Sequence, residues 1–102
     1  MKPQDSLKEP ILATAPDNWH YHTFLRLSNI KVGTTRYIKA STESFRGMAP
    51  QPVVIIAPIL IRNWPELKSM LESRNMRIIS EEEFLDAYSK ANRLAERERI
   101  NW

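Results

Sequence analysis

Hydrophobic and polar positions follow two different rhythms on either side of residue 52. Ahead of it, Trp19–Leu27 (WHYHTFLRL) sends Trp19, Tyr21, Thr23, Leu25 and Leu27 to one side and His20, His22, Phe24 and Arg26 to the other. A period of two in β-favouring residues predicts a strand. Ser28 and Asn29 read as a turn, and residues 30–40 (IKVGTTRYIKA) as a second strand interrupted near Gly33. Together they predict an antiparallel β-hairpin. Residues 41–52 have the hydroxyl, glycine and proline content of a loop. Residues 1–18 hold Pro3, Pro10 and Pro16 with little periodicity, and read as an extended arm whose Ile11–Ala13 lies against the body.

Beyond residue 52 the pattern changes. Val53, Val54, Ile55 and Ile56 are four consecutive β-branched residues bounded by prolines, which predicts a strand buried on both faces. A helix is expected from Asn63, a capping residue three before Glu66, with Pro65 in the first turn and Leu67, Met70 and Leu71 as its apolar face. Residues 76–80 (MRIIS) form a short second strand. Ser80 and Glu83 then have capping-box spacing, and Glu81 and Glu82 sit where the helix dipole favours anions. Phe84, Ala87, Tyr88, Ala91, Leu94 and Ala95 follow at helical spacing, with Asp86 and Lys90 an i, i+4 ion pair. The three consecutive glutamates therefore begin a helix. Pointing about 100° apart, they do not converge on one cation. The fold class is α/β (or α+β): one small sheet with an N-terminal β-hairpin followed by strand-helix-strand-helix, helices packed on the sheet. Residues 1–18 form the arm and 19–102 a single domain.

Residues 67–88 (LKSMLESRNMRIISEEEFLDAY) resemble the closing helix-strand-helix of a BRCT domain, in particular the one that ends bacterial NAD-dependent DNA ligases. Ile78, Ile79, Ser80, Glu83, Phe84 and Leu85 carry the likeness, and Val53–Ala57 (VVIIA) stands for the preceding strand. The glycine pair that follows the family's first helix is missing, and residues 19–48 look β-rich where the family is βα. No residue corresponds to the family's phosphopeptide-binding residues, so the likeness assigns none here.

Composition narrows the functions. The 102 residues are 42% hydrophobic and 26% charged, within the ordinary globular range. Cysteine is absent, which excludes disulfide scaffolds and thiolate chemistry. Two glycines are too few for a phosphate cradle, so P-loop and dinucleotide fingerprints are excluded and no cofactor is expected. No stretch has the roughly 18 apolar residues of a membrane span, and the first residues lack a signal peptide's apolar run and cleavage site, so a cytoplasmic location is expected. Charge is uneven. Between Trp19 and Met48 five basic residues stand against Glu43 alone, while the overall charge is only +3.

That basic third supplies the main candidate surface. Arg26, Lys31, Arg36, Lys39 and Arg46 are interleaved with Tyr21, Phe24, Tyr37 and Phe45 and with hydroxyls at Thr34, Thr35, Ser41 and Ser44. Cations for phosphates and rings for bases are the means by which nucleic-acid-binding sheets work. Basic residues at both strand parities, however, do not share one face, and charged edges are also ordinary on a solvated hairpin. His20 and His22 form an H-x-H pair that a strand would put on one face. They are weak metal candidates, since zinc needs three or four ligands. Ser41, Thr42 and Ser44 lie in no nucleophile elbow. Trp102, at the end of a charged helix, is a candidate contact residue. The reading is a small non-enzymatic accessory or adaptor protein that binds a protein partner, through the hairpin face or the aromatic C-terminus. The alternative is a nucleic-acid-binding protein using residues 19–48, with Arg26, Lys31, Arg36, Tyr37, Lys39, Arg46 and Trp102 as the contact set of either.

Overall fold

The computed structural model describes residues 10–31 and 33–100. Four parallel strands form one sheet: β1 (Ile11–Ala15), β2 (Thr35–Lys39), β3 (Pro52–Ile55) and β4 (Arg77–Ile79), in the spatial order β2-β1-β3-β4. Three helices accompany them: α1 (Asn18–Leu27), α2 (Trp64–Ser73) and α3 (Glu81–Ile100). The fold is α/β.

Two expectations are corrected. Trp19–Leu27 lies in α1 and is not a strand, and among the described residues there is no antiparallel hairpin: Ile11 pairs with Thr35 and Ala15 with Lys39 in a parallel ladder. Asp17 decides the matter locally. Its extended backbone and side chain cap α1, with the carboxylate accepting the His20 N–H at 2.8 Å. The inward face is Tyr21, Phe24 and Leu25, a helical spacing hidden inside the alternation. Once 18–27 is a helix, β1-α1-β2 becomes a crossover unit, and a crossover joins parallel strands. Residues 11–15, counted above in the arm, are an interior strand bonded to β2 on one side and β3 on the other.

The second half matches its pattern. Val53, Val54, Ile55 and Ile56 are all buried, between β1 and β4. The sheet separates two cores. On one side Leu12, Val53 and Ile55 meet Leu67 and Leu71 of α2, together with Phe45, which is fully buried. On the other, Ala13, Ala15, Val54 and Ile56 meet Tyr21 of α1 and Phe84 of α3. Ring contacts tie α1 to α3: Phe24 lies 6.4 Å from Phe84, and Phe84 stacks 6.1 Å from Tyr88. The Tyr88 hydroxyl accepts the Lys31 N–H at 3.0 Å, fixing α3 to the loop after α1.

With only two glycines, asparagine takes over their usual place at helix ends. Asn29 (φ 55°) and Asn75 (φ 61°) follow α1 and α2 in the left-handed region. Each closes the same pair of backbone bonds. Ile30 N–H reaches Leu25 C=O and Asn29 N–H reaches Arg26 C=O, while Met76 and Asn75 do likewise with Leu71 and Glu72. This is the Schellman arrangement, and asparagine is the residue after glycine that best tolerates it. Asn63 begins α2 with φ 58° and makes no side-chain cap bond, so its value there is backbone tolerance rather than the expected capping.

Candidate interaction site

The five predicted contact cations are exposed but dispersed. Arg26 lies in the last turn of α1, Lys31 in the loop that follows, and Arg46 just after the 3-10 turn Glu43–Phe45. Arg36 and Lys39 are on β2, the outer strand. Because side chains alternate along a strand, Arg36 shares the α2 side with Ile38, whereas Lys39 shares the α1–α3 side with Tyr37. The five cations thus fall on both faces of the sheet. Tyr37 is half-buried against Tyr21, ring centroids 5.1 Å apart, and burial together with the Asp17 carboxylate holds its phenol above the usual range. Trp102 lies outside the described residues.

The histidines lose the geometry that made them a pair. On a helix, residues two apart point about 200° apart, so His20 and His22 do not share a face. His20 Nδ1 lies 2.7 Å from Asp17 Oδ1, and His22 is exposed against the Tyr21 ring. Among the described residues no three histidine, aspartate or glutamate side chains gather as a metal site. The candidate hydroxyls of Ser41 and Ser44 are engaged with each other, their Oγ atoms 2.9 Å apart. Asp17 itself titrates below the ordinary carboxylate value, chiefly because the His20 N–H donates to it and then through the His20 side chain.

The carboxyl ends of the strands are the more informative place, since open parallel sheets receive ligands there. After β3 the chain makes a tight 3-10 turn, Pro58–Leu60, entered through Ala57 at φ 49°. An L-residue in that conformation costs about 1–2 kcal/mol, and three hydrogen bonds hold the turn. Leu60 N–H donates to Ala57 C=O at 3.0 Å, Ile61 N–H to Pro58 C=O at 3.0 Å, and Ala57 N–H to Glu81 Oε2 at 2.7 Å. The turn leaves Ile59 91% and Leu60 58% exposed. Beside it, between the beginnings of α2 and α3, is a cavity of about 360 Å3 lined by Ile55, Pro58, Trp64 and Ile78, with Ser80, Glu81 and Glu82 on one wall.

The three glutamates at the start of α3 divide their work. Glu81 pins the turn after β3, and Glu83 pairs with Arg77. Glu82 is exposed and has no cation partner among the described residues. Ser80 performs its expected half of the capping box, its Oγ accepting the Glu83 N–H at 3.1 Å. The Asp86–Lys90 pair forms as expected, at 3.2 Å.

No family model, curated protein or solved structure matches the chain.

Sequence reasoning did not single out Ile59, Leu60 and Ile78 as site residues, and it gave Glu82 no role beyond the solvated helix start. One signal was available. Ile59 and Leu60 stand between a strand and a helix start, where a connection on the surface would ordinarily be polar.

Proposed function

We propose that the chain is a non-enzymatic protein-binding module that meets its partner at the carboxyl ends of β3 and β4. The observation that carries this reading is the Pro58–Leu60 turn: two large aliphatic side chains in solvent, on backbone pinned from α3, beside an apolar cavity. Apolar side chains held rigidly outward lose little entropy when a partner covers them. The likeness of residues 67–88 to a BRCT domain lends support of a second kind. Residues 11–27 are strand then helix, so the βα expected of that family in the first half is present. Where its glycine pair would follow the first helix, Asn29 takes the left-handed conformation that glycine allows. The dispersed cations favour a protein over a nucleic acid, because phosphate-tracking surfaces concentrate charge along one face.

Two measurements on the full chain test the proposal. Affinity capture at about 500 mM salt, where exposed ion pairs are screened, is expected to retain a specific protein. Fluorescence anisotropy of labelled duplex DNA, single-stranded DNA and RNA is expected to stay flat at about 50 and about 200 mM salt, the range over which phosphate binding changes most. Binding that is tight at low salt, collapses at high salt and weakens in Arg36→Ala/Lys39→Ala would replace this reading with nucleic-acid recognition.

A further inference from the structure

We infer that the cavity between α2 and α3 receives an extended protein segment in which an aliphatic or aromatic side chain stands next to lysine or arginine. This inference rests on the protein-binding reading and specifies the chemistry of the partner. The cavity floor is hydrocarbon from Ile55, Pro58 and Ile78 with the half-buried Trp64 ring, and 360 Å3 is ample for one large side chain of a ligand. Ile59 and Leu60, exposed on the same turn as the cavity-lining Pro58, add apolar surface outside the cavity. A surface reaching past its own cavity suits a chain that runs across it better than a small molecule that fills it.

Charge selects the sign of the partner. The polar wall carries Glu81 and Glu82, with no cation of the described residues paired to either. Glu81 is partly satisfied by the Ala57 N–H, and the start of α3 offsets some negative charge through its dipole, whereas Glu82 is exposed and accepts no such bond. Glu83 is paired with Arg77, and Arg62 and Glu66 line the neighbouring cavity beside Ser41 and Thr42. A cationic residue next to the buried side chain would therefore meet, at the rim, a carboxylate that no cation of the described residues pairs. An acidic residue would meet repulsion.

The test is selection of random dodecapeptides displayed on phage against the immobilised full chain. Winners are then compared on wild type and on the double variant Ile59→Ser/Glu82→Gln. Both positions are exposed and neither side chain holds the turn, so the variant keeps the fold, which circular dichroism checks. Enriched peptides are expected to share a large apolar residue beside lysine or arginine and to bind the variant about tenfold more weakly, equivalent to about 1.4 kcal/mol. Peptides that bind wild type and variant equally would overturn this site and the placement of the partner at the carboxyl ends of β3 and β4, while leaving protein binding through another surface in place. Selection that enriches nothing would overturn protein binding as well.

Discussion

At the scale of single residues, the left-handed positions govern this chain, and sequence inspection reached them unevenly. Ser80 announced its role, because a cap is a spacing to a glutamate and a spacing is visible. Asn29, Asn63 and Asn75 did not, since a positive φ leaves no periodic trace. Asn75→Ala is expected to lose about 1 kcal/mol and Asn75→Gly to lose nothing, the contrast that identifies backbone rather than side-chain demand. Urea titration of both variants measures it. Ala57 is the exception, an L-residue with no polar compensation at φ 49°. Ala57→Gly removes Cβ strain of about 1–2 kcal/mol against a similar but smaller rise in unfolded-chain freedom. The expected result is a melting temperature equal to or above wild type, and a clear drop would count against strain there. Asp17 gives a pH signature. Its pKa is lowered in the folded state, so its contribution is intact above the unfolded value of about 3.9 and fades as pH falls through the lower folded value. Thermal melts between pH 5 and pH 2 should show Asp17→Asn losing less stability on acidification than wild type.

Among the elements, β3, α2, β4 and α3 were legible because each has one dominant signal: a β-branched run, a proline at a helix start, an acidic first turn. The stretch now α1 had two signals in conflict. Its aromatic, histidine and threonine content and its alternation favour a strand, whereas Asp17 and the spacing of Tyr21, Phe24 and Leu25 favour a helix. Burial against β1 and β2 settles it, as tertiary packing commonly overrides propensity. The correction also changes what the basic residues of β2 do. Ile11 N–H donates to Thr34 C=O, so in the alternating ladder the backbone groups of Thr35 and Tyr37 and the Lys39 N–H face outward from an open edge. Arg36 and Lys39 flank that edge on its two faces, the placement by which charged side chains discourage edge-to-edge pairing. Arg36→Val/Lys39→Val is expected to remain folded at low concentration and to aggregate with concentration, read by light scattering against wild type.

For the whole molecule, the sheet acts as a partition. Ile61 packs in the core beneath α2 and Ile79 in the core beneath α1 and α3. Ile61→Val and Ile79→Val should each cost about 0.5–1.5 kcal/mol, and the double variant should equal their sum within about 0.5 kcal/mol, since distant sites without shared partners add. A larger departure in denaturant titrations would mean that the faces communicate. Strand order was the part of the fold least available from sequence, because it depends on pairings between residues far apart in the chain. The misreading of 19–27, together with the placing of 11–15 in the arm, carried through to it: a strand there implies a hairpin, a helix implies a crossover. The place of β1 bears on how the chain is made. A ribosome delivers residues 11–15 before either partner, and they wait for 35–39 and then for 52–55 before both sides are filled. Until β3 emerges, the most buried strand of the finished sheet has an open flank, and this is the interval in which a nascent chain of this protein most needs a chaperone's cover.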